Sequence, residues 1–142
     1  MIPRFRAWDS VKKKFVEHFF ITDNGLICNM EKPTSGYNSP IPVEKSELIL
    51  MQSTNLHDKN SQEIFEGDIV KRDGIKRPEV VRFGEWIDVD SLGYKEQYIG
   101  FYFESEHEGQ EWLHSVEPQF NHLYKVIGNI YENQQLLEGE EK

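Results

Sequence analysis

Apolar residues in this chain come in short runs, some alternating with polar residues and some continuous, separated by Gly, Asn, Asp, Ser and Pro. The 3.6-residue spacing of an amphipathic helix is scarce. Phe5 and Ala7 alternate with Arg4 and Arg6 ahead of Trp8, which predicts a half-buried strand. Asp9-Ser10 and Lys12-Lys13-Lys14 predict a charged turn. Phe15 to Thr22 is a second apolar run, Asp23-Asn24-Gly25 is a hairpin signal, and Leu26 to Asn29 is the returning strand. Together these make a small N-terminal β-meander. Residues 31–42, rich in Pro, Ser, Gly and Asn, predict a loop.

The second half has the same grammar. Ile49 to Gln52 predicts a short strand, and Ser53 to Gln62 a polar turn segment. Glu66-Gly67-Asp68-Ile69-Val70 reads as a tight turn delivering the chain into a strand over 68–72, with Gly67 at positive φ. Further strands are predicted at 79–83, at 98–103 (YIGFYF, a continuous run suited to a central strand) and at 124–131. Gly84 to Glu96 reads as irregular and Glu104 to His122 as an acidic, solvated loop. Asn133 to Leu137 predicts one helical turn before an acidic tail. The fold class is therefore mainly β, α+β only at the margins: an SH3-like, barrel-type core over 49–142 and the meander with its loop over 1–48, or one compact domain overall. Ile69, Val70, Phe101, Val126 and Ile130 are the predicted core.

Composition narrows the partners. The chain has 142 residues, 37% hydrophobic and 13% aromatic, enough apolar content for a folded globule. Its formal charge of -9 argues against a conventional nucleic-acid binder, which needs clustered basic charge, and leaves room for a partner with a basic surface. The basic group Lys71, Arg72, Lys76 and Arg77 fits edge protection of a sheet. Lone Cys28 predicts a buried thiol in a reducing compartment. With no long apolar run, the expectation is a soluble, cytoplasmic protein with no membrane contact.

Candidate chemistry is sparse. His107, His114 and His122 are separated by seven and eight positions, which gives no close ligand pair for zinc. Asp88-Val89-Asp90 with Gly93 echoes a calcium loop, but Ile99 stands where its closing carboxylate belongs. No nucleophile elbow and no phosphate-cradling glycine loop occurs. No metal and no cofactor is expected. Asp58, Glu63, Glu66 and Asp68 cluster in sequence, and turn-building explains the types of Asp58, Asn60 and Asp68 better than acid–base work.

Three blocks carry a family resemblance. They are Arg4-Phe5-Arg6-Ala7-Trp8-Asp9 with the lysines that follow; Met51-Gln52 through Leu56, Asp58-Lys59-Asn60 and Glu63 to Val70; and Val126 to Asn133 with Leu136-Leu137. In these the chain resembles the YopX-like proteins of phages and prophages in Gram-positive bacteria, over most of its length. It departs from the family pattern at Ser53 and Asn55, where Tyr-Thr-Gly-Leu is usual, and at Ser61, where Gly is usual. The resemblance implies a phage or prophage origin, a mainly β fold and a homo-oligomer, and it brings no activity, cofactor or catalytic residue.

The expected function is a non-enzymatic, self-associating accessory protein that binds a host or phage protein in the bacterial cytoplasm. The alternative is a nucleic-acid-directed module, or an acidic mimic occupying a basic DNA-binding groove, for which Glu104 to Glu111 is the dense carboxylate stretch. The candidate binding residues are Asp58, Asn60, Glu66, Asp68, Trp86 and Trp112. Tyr98 and Tyr102 join the two tryptophans as candidate interface aromatics.

Overall fold

The structure, a computed structural model, describes residues 2–31 and 39–138. Most of the predicted loop at 31–42, and the acidic tail beyond Glu138, lie outside the described residues. The described chain is mainly β, with twelve strands and three short 3-10 turns. It forms two compact units, residues 1–52 and 53–142.

In the first unit β1 (Phe5–Asp9) pairs antiparallel with β2 (Lys14–Val16) and with the opening half of β6 (Leu48–His57). A second small sheet joins β3 (Phe19–Ile21), β4 (Leu26–Asn29) and β5 (Ile41–Pro42). Ala7, Val16, Ile27 and Leu48 form the buried core. The single run predicted from Phe15 to Thr22 is in fact two strands. It breaks at Glu17-His18, whose N–H groups donate to the Glu31 carboxylate at 2.6 and 2.8 Å. The lysine turn is set by Asp9, whose Oδ1 accepts from the N–H groups of Val11 and Lys12. Cys28 is buried, and its thiol donates to the Met30 sulfur at 3.6 Å.

The second unit is built on a curled half-barrel sheet. Its five antiparallel strands run in the order β11 (Gln110–Ser115), β10 (Lys95–His107), β9 (Glu79–Val89), β8 (Asp68–Arg72), β12 (Tyr124–Asn129). β7 (Glu63–Phe65) pairs with the closing half of β6. Ile64, Val70, Val81, Phe103 and Tyr124 make the core, with Arg72 stacked 4.9 Å from the Phe103 ring centroid and paired to Glu79.

Several expectations need correcting. Ser53 to His57 is strand, and the turn is confined to the residues that follow. Gly84 to Glu96 is the outer end of a long hairpin, with β9 and β10 in register from Lys95↔Val89 to Glu104↔Val80. Its turn is closed by Asp90, whose Oδ1 accepts from the N–H groups of Leu92 and Tyr94, both at 2.9 Å. The acidic stretch from Glu104 to His122 contains the end of β10, all of β11 and the 3-10 turn Pro118–Leu123. Ile69 and Val70 are fully buried. Phe101, Val126 and Ile130 are only half-buried. Phe101 packs against the core cluster and on Phe83, with ring centroids 4.7 Å apart, while Phe103 is fully buried at its centre.

Candidate functional site

The segment from Asp58 to Asp68 is a frame of polar side chains bonded to main chain. Asp58 Oδ1 accepts from the N–H groups of Asn60 (2.8 Å) and Gln62 (2.9 Å). Its Oδ2 accepts from Val126 N–H at 2.8 Å and so ties the turn to β12. Burial alone would push this carboxyl up, but the Val126, Gln62 and Asn60 donors outweigh it and hold the group below its ordinary value. Asp68, fully buried, accepts from Phe65 N–H at 2.7 Å. Gly67 has φ +88°; its N–H donates to Val81 and its carbonyl accepts from Ile130 N–H. Asn55 and Ser61, the two departures at glycine positions of the family pattern, stand at φ +63° and +67°. Asn60 is exposed, with its N–H held by Asp58.

The third block has the same logic. Asn129 Oδ1 accepts from the N–H groups of Tyr131 and Glu132, both at 2.9 Å, and Asn133 Oδ1 accepts from Asn129 N–H at 3.1 Å. Gly128 is required there, because a Cβ would lie 2.5 Å from Asn133 Oδ1.

The side chains with room to meet a partner lie on the β9–β10–β11 sheet. Ladder registry puts Trp86, Arg82 and Val80 on one face with Tyr98, Tyr102, Glu104 and Glu106, and with Glu111 of β11. Trp86 is buried between two tyrosines, its ring centroid 4.9 Å from Tyr98 and 5.5 Å from Tyr102, both stacked. Trp112 projects from the opposite face, half-exposed, with the Arg77 guanidinium 5.7 Å from its ring centroid. The two tryptophans therefore do not form one patch. Glu66 is half-buried and acts on Tyr102. Burial first, then the charges of Glu104, Glu111 and Glu66, raise that phenol above its ordinary value.

Beside the aromatic stack a cavity of about 340 Å³ opens, lined by Arg77, Val80, Arg82, Glu104, Glu106 and Glu111 among others. Arg82 Nε donates to Glu104 Oε1 at 2.9 Å. A hydrogen bond with Glu104, then burial and the charges of Glu104 and Glu106, raise the Glu111 carboxyl above its ordinary value. The arrangement suits hydrogen bonding to a cationic or polar group. The sequence reading missed it because Glu104 and Glu111 meet only through the β10–β11 register.

His107, His114 and His122 stand on β10, on β11 and in the 3-10 turn. Among the described residues, the group that brings possible metal-ligand atoms within 4.8 Å of one another is Glu17, His18 and Glu31. Glu31 there already accepts two main-chain N–H groups. No helix among the described residues is long and apolar enough to cross a membrane.

These features define a small β protein framed by three blocks of turn-forming side chains. The chain belongs to the YopX family: the family described as YopX protein matches residues 4–138. It is similar to a solved protein, EF1440 from Enterococcus faecalis, at 26% identity over 97% of this chain and 99% of that one, with a TM-score of 0.49. No curated protein matches the chain in sequence.

Proposed function

We propose that the protein is a non-catalytic module of a phage or prophage that self-associates and binds a protein partner in the bacterial cytoplasm, with the β9–β10 hairpin as its docking element. The observation that carries this reading is the hairpin itself. Past the limits of pairing with β8 and β11, residues 84–100 form a two-stranded ribbon. Ile87 is 50% exposed, Val89 53%, Ile99 75%, Tyr94 69% and Leu92 80%. A two-stranded ribbon is marginal by itself, and contiguous exposed apolar groups on it mark a contact surface. The acids on the other face suit a basic partner surface.

A binding role also fits the fate of the clustered carboxylates. Asp58 and Asp68 have oxygens committed to main-chain N–H groups. The nucleic-acid alternative draws less support. Of its basic group, Lys71 is bonded to the carbonyls of Ile75 and Lys76, Arg72 to Glu79, and Arg77 lies over Trp112. Sedimentation velocity at micromolar concentration is the test. The protein should run above monomer mass, and Ile87→Asp with Ile99→Asp should return it to monomer. A clean monomer for the unaltered chain refutes self-association.

A further inference from the structure

We infer that the acidic β9–β10 ribbon of one copy docks into a basic depression at the β8–β9 turn of a second copy, so that copies join head to tail. This rests on the self-association proposed above and names the surface that receives the ribbon.

The first support is segregation of charge. Residues 1–52 hold seven Lys and Arg against six Asp and Glu, and residues 53–142 hold nine against nineteen. Within that acidic second unit, Lys59, Lys71, Arg72, Lys76 and Lys125 line one open depression of about 560 Å³, with Asp73 as the acid among its lining residues. Arg72 is neutralised by Glu79 and Lys59 by Asp73, so the local positive field comes from Lys71, Lys76 and Lys125 on a chain of net charge -9.

The depression is held in shape by main-chain bonds. Lys71 Nζ donates to the carbonyls of Ile75 (2.8 Å) and Lys76 (2.6 Å), which clamps the turn. Asp73 N–H donates to the Leu123 carbonyl at 2.9 Å, and Lys59 pairs with Asp73 at 2.8 Å. Lys76 and Lys125 remain exposed, with no ion pair among the described residues. Ile75 and Ile127 supply apolar wall between the charges.

The ribbon has the matching chemistry. Asp88 stands directly opposite Glu96 across the ladder, Asp90 closes the tip beside them, and Glu85 and Lys95 lie on the other face of the ribbon. Like charges directly opposite destabilise an antiparallel pair, so this site gains when a cation lies over it. Leu92 and Tyr94 at the tip match the isoleucines of the depression. Ribbon-on-ribbon docking would set the Asp88–Glu96 pairs of two copies against each other, an arrangement that costs free energy. The overall repulsion between acidic copies is screened over about 8 Å at physiological salt, whereas contacting pairs are not. Since the two surfaces differ, the contact is heterologous and repeats into a ring or an open chain.

The test uses the full chain and two charge-reversed variants: Lys76→Glu with Lys125→Glu, and Asp88→Lys with Glu96→Lys. All four sites are exposed, and circular dichroism checks the fold of each variant. By light scattering and sedimentation, each variant alone should associate at least tenfold more weakly than the unaltered protein. An equimolar mixture should regain association, because each variant then offers the charge the other needs. Variants that assemble normally, or a folded mixture that stays monomeric, overturn the inference. Loss of assembly with Ile87→Asp and Ile99→Asp but not with the lysine reversals would keep the self-association and remove this interface. A monomeric unaltered chain removes both. Binding of a duplex oligonucleotide at about 150 mM salt, lost on lysine reversal with assembly unchanged, would make the depression a nucleic-acid surface and overturn the proposal.

Discussion

Replacing Asp58 by asparagine changes one atom's chemistry and should remove the tie between the turn and β12. The carboxylate accepts three main-chain N–H bonds, from Asn60, Gln62 and Val126, each between 2.8 and 2.9 Å. A hydrogen bond to a charged acceptor contributes about 1.5–3 kcal/mol. Asn60 and Gln62 are exposed, so water replaces much of their loss; Val126 is half-buried and recovers less. An asparagine offers only one acceptor oxygen. If Oδ1 stays with Asn60 and Gln62, its NH2 faces the Val126 N–H; if it flips, the turn loses both bonds. Asp58→Asn should therefore cost roughly 1.5–3 kcal/mol, from one lost bond to two, each taken near the lower part of that range. For a chain of this size that is a fall in Tm of about 3–12 °C. Urea unfolding followed by tryptophan fluorescence reads the change as a lower midpoint at constant slope. The sign of the pH dependence follows from the depressed carboxyl. Its contribution is fully present above the ordinary value of 3.8 and is lost as pH falls through the lower folded value. The gap between the two proteins should therefore narrow below pH 3.8. An asparagine variant within about 0.5 kcal/mol of the parent at neutral pH, the scatter of an ordinary surface change, would refute the tie.

Three further substitutions bear on other parts of the frame. Ser61→Gly should stabilise by about 0.5–1 kcal/mol, the left-handed penalty of serine less the added freedom of the unfolded chain, and an unchanged urea midpoint would refute a strained turn. Gly128→Ala should expel the Asn133 side chain and lose its bond to Asn129, at about 1–2 kcal/mol, seen as a lost slow-exchanging Asn129 amide; retention of that amide would contradict the packing. Phe103→Ala should cost about 3–5 kcal/mol and Phe101→Ala clearly less, so equal losses on thermal melting would refute the assignment of Phe103 to the centre.

What was legible in the sequence was local. Asp23-Asn24-Gly25, Gly67 and the turn after Asn133 are each specified by residue types whose conformational preferences act within a few positions. Extended structure was harder. Glu85, Asp88 and Glu96 read as loop because their strand propensity is low, yet cross-strand pairing carries them as ladder. Phe101 and Phe103 lie two positions apart on one face of β10, so alternation cannot choose between them. The candidate surfaces depended on register and on distant chain segments. Trp86 meets Tyr102 only through the hairpin alignment, and Lys125 joins Lys59 and Lys76 only because β12 lies beside β8.

The bond from Asp58 to Val126 also sets an order of events during synthesis. Its two partners are 68 residues apart in the chain. At roughly 5–20 residues per second, a ribosome takes about 3–14 s to traverse that distance. Throughout this interval Asp58 has no Val126 to hold, and β8 has no β12 at its edge. The hairpin with exposed Ile87, Val89 and Ile99 emerges before the strand that completes the sheet. The nascent ribbon is therefore complete about 1–4 s before β12 has been made and the sheet of the second unit can close.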